Sequence, residues 1–357
     1  MRSAIFLLPV ALALRSLLLL IVAAATTGSV QGRSVPTIRL GKPPRTQEPL
    51  LLVQRTRIGS LSRDEDAFGR VAYVALRRNG DIMVADDQTH RVSVFGADGK
   101  LKRRIGRQGQ GPGEFELPWL IASLASDSVA VWDAALARVS VFSPALDYVR
   151  SFSVPPSWVL HSLRELPDGR LLASALDISS RKALHVLSRD GKTTFSFGDI
   201  AIPRDVTPYE SSLLGGRALV LDSLIVFSHK SPFRIDVFDL RGRHLRRCEG
   251  SADATSAPQS VISRNGASAS LLWRKFVHST GFLPGIAAHE VWNVITDHSN
   301  GRTTLFAVDI TRCSLARERT LSVPLYLNDA SSDHVVGVLE SDFPEVILYR
   351  RAGRTRG

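Results

Sequence analysis

Cysteine is nearly missing from this chain: Cys248 and Cys313 are the two among 357 residues. So few, so far apart, do not make a thiolate zinc site. Whether they pair or stay as two separate buried thiols is open from sequence; paired, they would tie neighbouring repeats together across an insertion. His-x-x-x-His, paired-Cys and Asp-x-Asp-x-Asn clusters with metal-ligand spacing are absent, and so is a Gly-x-Ser-x-Gly nucleophile context. The net charge is +11, yet basic runs longer than pairs such as Arg77-Arg78, Arg103-Arg104 and Arg246-Arg247 are lacking. Aromatic residues do not interleave with these pairs, so the charge reads as a solvated face, and nucleic acid is not an expected partner. After Ala25 no stretch is apolar and long enough to span a bilayer.

What the sequence does have begins at its start. "MRSAIFLLPVALALRSLLLLIVAAATTGSVQG" carries Arg2 and Arg15, an apolar run from Leu17 to Ala25 and then small and polar residues up to Gly32. That is the layout of a secretory signal peptide, residues 1–32, with cleavage after Gly32 or soon after Ala25. The alternative is an uncleaved anchor, which Ile5 to Ala25 would nearly allow. No cysteine lies in or just after the segment, which argues against a lipid-anchored bacterial form. The expected product is a soluble monomer, periplasmic or extracellular, with no membrane contact after cleavage. Residues 33–49 read as a flexible N-terminal segment.

The region from Gly69 to Gly106 divides into short β-rich runs, Val71 to Leu76, Asp81 to Ala85, Arg91 to Phe95 and Leu101 to Ile105, separated by "RRNG", "DDQTH" and "ADG". Four such strands joined by tight turns form an antiparallel meander. The third strand recurs as "VSVFGADG" at Val92, "VSVFSPAL" at Val139, "LHVLSRDG" at Leu184, "IDVFDLRG" at Ile235, "LFAVDITR" at Leu305 and "VILYRRAG" at Val346. Successive starts lie 47, 45, 51, 70 and 41 residues apart. Six copies at this period predict an all-β, six-bladed β-propeller of four-stranded antiparallel blades over residues 50–353.

Too few residues follow the sixth copy for a fourth strand. "QRTRIGSLSRDEDAFGRVAYVAL", from Gln54, aligns with "LKRRIGRQGQGPGEFELPWLIASL", from Leu101, as outer strand, linker and next inner strand. The N-terminal strand is therefore expected to complete the last blade and close the ring. The glycine-rich "GRQGQGPGEF" falls in the first blade-to-blade linker, where sharp turns call for glycine and proline. A phosphate loop would need a following Lys-Ser/Thr and a helix, and neither is present. The 70-residue step holds an insertion at about 251–282, rich in Ser and Ala at first. Leu271 to Val277 reads either as the inner strand of the fifth blade or as a short amphipathic cover.

"VADDQTHRVSVFGADGKLKRRIGRQGQGPGEF" resembles the NHL-repeat branch of six-bladed propellers, especially exported bacterial ones, over Gly69 to Pro156. Asp86 with Arg91 and Asp133 with Arg138 match the Asp that closes the second strand and the Arg that opens the third. The resemblance implies that these residues brace loops. Related propellers include lactonases and lyases with a divalent ion near the axis, and by that likeness Glu116, His161 and Asn328 would be the metal ligands, with calcium or zinc as the cofactor.

Strand direction alternates within a blade, so the loop between strands two and three shares a face with the linker into the next blade. That face gathers the ligand candidates Asp86, Asp87, His90, Asp133, His229, Asp297 and His298. A binding or interaction module for an extracytoplasmic ligand, glycan or protein is the expected function. The alternative is a metal-dependent hydrolase or lyase.

Overall fold

The computed structural model describes residues 35–42, 51–60, 62, 65–200, 214–255, 277–321, 325–340 and 343–352. The expected signal segment and most of the insertion lie outside them.

Six sheets follow one another in chain order. The first blade is β3 (Val71–Leu76), β4 (Ile82–Asp86), β5 (Arg91–Phe95) and β6 (Leu101–Ile105), each antiparallel to the next. The inner strands of the other five are β7 (Pro118–Ser123), β11 (Leu160–Glu165), β15 (Gly216–Leu221), β19 (Val277–Pro284) and β23 (Leu325–Ala330). Each inner strand meets the next, and β23 meets β3, so the ring is closed. All six recurrent apolar segments lie in third strands: β5, β9 (Arg138–Phe142), β13 (Lys182–Leu187), β17 (Arg234–Asp239), β21 (Arg302–Asp309) and β25 (Pro344–Ala352).

Closure is made by β2 (Leu51–Ile58), which pairs antiparallel with β25 from Leu51 opposite Ala352 to Ile58 opposite Val346. Ile58 is buried with Phe95 and Val346 in the seam between the last and first blades. Arg57 adds an ion pair to Glu345 at 3.1 Å. The strand works because its inward residues complete an apolar face that the first blade also needs covered.

Middle strands have a blade on either side, so alternation disappears from their sequences. All five residues of β4, and all five of β8 (Val129–Asp133), are buried. Apolar clusters occupy every interface between blades, anchored by side chains such as Trp132, Phe227 and Trp292. Burying each such side chain contributes about 1.5–3 kcal/mol.

Two features go beyond the repeat pattern. Within the segment expected to be flexible, β1 (Thr37–Arg39) pairs in parallel with β18 (His244–Glu249) and gives the fourth blade a fifth, outermost strand. Cys248 on β18 and Cys313, in the turn before β22 (Ser314–Leu321), form a disulfide with their Cα atoms 5.2 Å apart. The bond staples the fourth blade to the fifth across the long insertion. Of the Leu271 to Val277 stretch, Val277 opens the inner strand and the rest lies outside the described residues.

The glycine-rich linker is held as a structural element. Arg138 donates to the carbonyls of Gln110, Gly111 and Glu114 at 2.6, 3.1 and 2.8 Å. The Glu114 carboxylate accepts from Gly111 N at 2.8 Å and Arg107 Nε at 2.7 Å. Gly106 has φ +82°, and a Cβ there would stand 2.2 Å from the Phe115 ring, so this position admits glycine alone.

Candidate functional site

The inner strands all start at the face that carries the linkers and the loops between second and third strands. There they surround a cavity of about 690 Å³. Its wall has a simple rule: the second residue of each inner strand faces it, giving Ala72, Trp119, His161, Arg217, His278 and Tyr326. One structural position, read six times around the ring, supplies one small residue, two aromatics and three nitrogen bases. Lys230, from the loop after the second strand of the fourth blade, and Asn328, two residues after Tyr326, complete the polar lining.

Among the described residues that line the cavity there is no aspartate or glutamate. Arg70, at the rim, is bound through two nitrogens to the buried Asp87, with Nε 2.8 Å from Oδ1. Arg217 reaches inward: Nη1 lies 3.5 Å from the Asn328 carbonyl, and its guanidinium sits over the Tyr73 ring, 5.4 Å from the centroid. Burial, reinforced by Arg217, pushes Lys230 down to about 7. Burial, with Lys230 and Arg217 nearby, holds His161 well below the ordinary histidine range, and His278 goes the same way for the same reasons. Both imidazoles are therefore neutral at pH 7.

His161 bonds to the Leu214 backbone, while its Nε2 is buried without a protein hydrogen-bond partner. With the ring proton given to the backbone, Nε2 is an acceptor. Asn328 is 6% exposed, and its Oδ1 also lacks a partner in the protein. Across the cavity His278 stacks on His298 with centroids 5.1 Å apart, and His298 Nδ1 lies 2.9 Å from the Tyr326 hydroxyl. Trp119, Val159 and Ile178 leave an apolar edge exposed on the same face, at 38%, 38% and 49%.

His161, His298 and Asn328 are thus the candidates that meet in the cavity. The others serve elsewhere. Asp86 accepts from the N–H groups of Gly69, Arg70, Gln88 and Thr89 at 2.8–3.2 Å. Asp133 does the same for Glu116, Leu117, Ala135 and Leu136 at 2.7–3.1 Å. In both blades one carboxylate turns its own loop and clasps the incoming linker. His90 Nδ1 donates to the Glu116 carbonyl at 2.7 Å. His229 donates from Nε2 to Asp236 at 2.8 Å, accepts at Nδ1 from Arg234 at 3.0 Å, and is pushed down to about 4 chiefly by burial. Asp297 accepts from Ser299 N at 2.9 Å and Asn300 Nδ2 at 2.8 Å within its own turn.

The donor set does not fit the calcium or zinc ion implied by resemblance. Glu116 is not among the lining residues, and His161 and Asn328 share the cavity with Lys230 and Arg217, which repel a dication. Among the described residues no group of three or more His, Cys, Asp and Glu could hold a metal ion. Calcium draws on carboxylates and zinc on three or four such ligands.

Lys230, Arg217 and His278 escape a reading by motif, because no short pattern contains them. A signal nevertheless exists: an inner strand buried on both faces should be apolar, so "LHSL", "GRAL" and "VHST" each put a polar residue where packing alone would not.

The chain is a six-bladed β-propeller. A family described as 6-bladed beta-propeller matches residues 62–207. A Bacteroides fragilis protein provisionally described as exported is similar in structure at 13% identity, with 89% of this chain and 100% of that one covered and a TM-score of 0.59. A member of the duf4221 family from Bacteroides vulgatus gives 11% identity, 85% and 98% coverage and 0.60. Virginiamycin B lyase from Staphylococcus aureus gives 10% identity, 83% and 98% coverage and 0.52. At these identities the likeness is one of fold. No curated protein matches the sequence significantly. No helix among the described residues is long and apolar enough to cross a membrane.

Proposed function

We propose that the chain is an extracytoplasmic binding module that holds a small ligand in the loop-face cavity. The observation that carries this reading is the sixfold position: six inner strands turn one residue each into a common space, and five of the six are polar or aromatic. Packing alone would favour apolar residues there, so their use is accounted for by recognition. Export is supported by the N-terminal sequence and by the buried Cys248–Cys313 bond, which suits an oxidising compartment.

A panel of sugars, organic acids and short peptides, read by thermal shift, tests the reading. A compound that raises the melting temperature of the parent chain, but not that of a folded Ala72→Trp variant whose indole fills the cavity, supports it. Shifts that persist at full size in Ala72→Trp would place binding elsewhere.

A further inference from the structure

We infer that the ligand is an acidic sugar: an anionic group bound by Arg217 and Lys230, on a ring whose hydroxyls donate to His161 Nε2 and Asn328 Oδ1. The inference rests on the cavity reading above and narrows it to a ligand class.

Charge is the first argument. Arg217 and Lys230 line the cavity and no carboxylate does, among the described residues. A guanidinium and an ammonium in a concave, poorly hydrated site favour an anion, and the planar guanidinium favours a carboxylate or an oxyanion ester in particular. The second argument is the pair of acceptors. Asn328 Oδ1 and His161 Nε2 are buried without protein partners. Each carries an uncompensated desolvation cost unless a donor reaches it. A simple carboxylate has no donor to offer, whereas a hydroxylated ring has several. Shape supplies the third: Trp119 and Tyr326 bring aromatic rings to the same space, which suits the apolar face of a pyranose. A neutral sugar would bring no counter-charge to the Arg217 guanidinium, and a plain fatty or aromatic acid would leave the acceptors unanswered.

Titration calorimetry of the full exported chain with galacturonate, glucose 6-sulfate, galactose and acetate tests this. A uronate or a sulfated sugar binding at least ten-fold more tightly than both galactose and acetate supports the inference, and the better of the two identifies the anionic group. Arg217→Met with Lys230→Met should erase the advantage over galactose. Asn328→Leu should erase the advantage over acetate; where that variant melts early, His161→Phe gives the same readout. The inference is overturned if galactose binds as well as the anionic sugars, or if the double Met variant keeps the preference. Should neither anionic sugar bind while another compound binds the parent and not Ala72→Trp, the acidic-sugar class falls and the cavity reading stands. Uronate binding that Ala72→Trp leaves intact would overturn both.

Discussion

The Arg217 guanidinium lies over the Tyr73 ring, 5.4 Å from its centroid, although the two residues come from the fourth and the first blades of a six-membered ring. The side chain therefore reaches across the ring and lines the cavity. The contact is worth about 0.5–2 kcal/mol. Arg217→Met is expected to fold, to lower stability by an amount in that range, and to weaken anionic ligands at least ten-fold. Chemical denaturation and calorimetry on the same preparation separate the two effects.

Lys230 gives the site a pH dependence. Burial and Arg217 bring it from its ordinary 10.5 to about 7. It faces Arg217, His161 and His278, and the two histidines stay neutral above pH 7. The unfolded chain binds this proton up to pH 10.5 and the folded chain only to about 7. The stability of the free protein therefore rises with pH across that window, while anion affinity falls as pH increases through 7. Lys230→Gln should flatten both trends between pH 6 and 9; opposite slopes that survive the substitution would assign them to another group.

Asp133 is fully buried and accepts from four backbone N–H groups. Asp133→Ala leaves those donors without their acceptor and is expected to cost about 2–4 kcal/mol. Ligand affinity in the folded fraction should change by less than two-fold, because the carboxylate points into the linker. Denaturant melts paired with calorimetry check both halves.

The Cys248–Cys313 bond closes a loop with a sequence separation of 65. Replacing both cysteines by serine should destabilise the chain by about 2–4 kcal/mol, seen as a lower melting temperature. Adding reductant should lower the parent's melting temperature and leave that of the double variant unchanged.

Most of the fold was legible because propeller strands obey local rules. "VSVF" and its later versions mark third strands, since a strand between two blades is buried along nearly its whole length and carries apolar or small residues. The alignment of Gln54 with Leu101 foretold that β2 would complete the sixth blade. The site was harder to read. His161 and Asn328 drew attention through the likeness to metal-dependent propellers, as did Glu116, which stands two residues before β7, where its N–H is claimed by Asp133. Asp86 and Asp133 share the loop face with the cavity, yet their oxygens are used up by backbone donors. Lys230 follows His229 in a loop whose Asp–Arg pattern is replaced by the His229–Asp236–Arg247 network, so the repeat offered no register to locate it. The sixfold position becomes visible once the start of every inner strand is known to the residue.

The most direct test of the account is a crystal structure of the chain soaked with whichever of galacturonate and glucose 6-sulfate binds more tightly in calorimetry. The account predicts one sugar in the loop-face cavity, its anionic group against Arg217 and Lys230 and a hydroxyl on Asn328 Oδ1. A sugar bound only on the outer blades, or a cavity without sugar at saturating concentration, would contradict it.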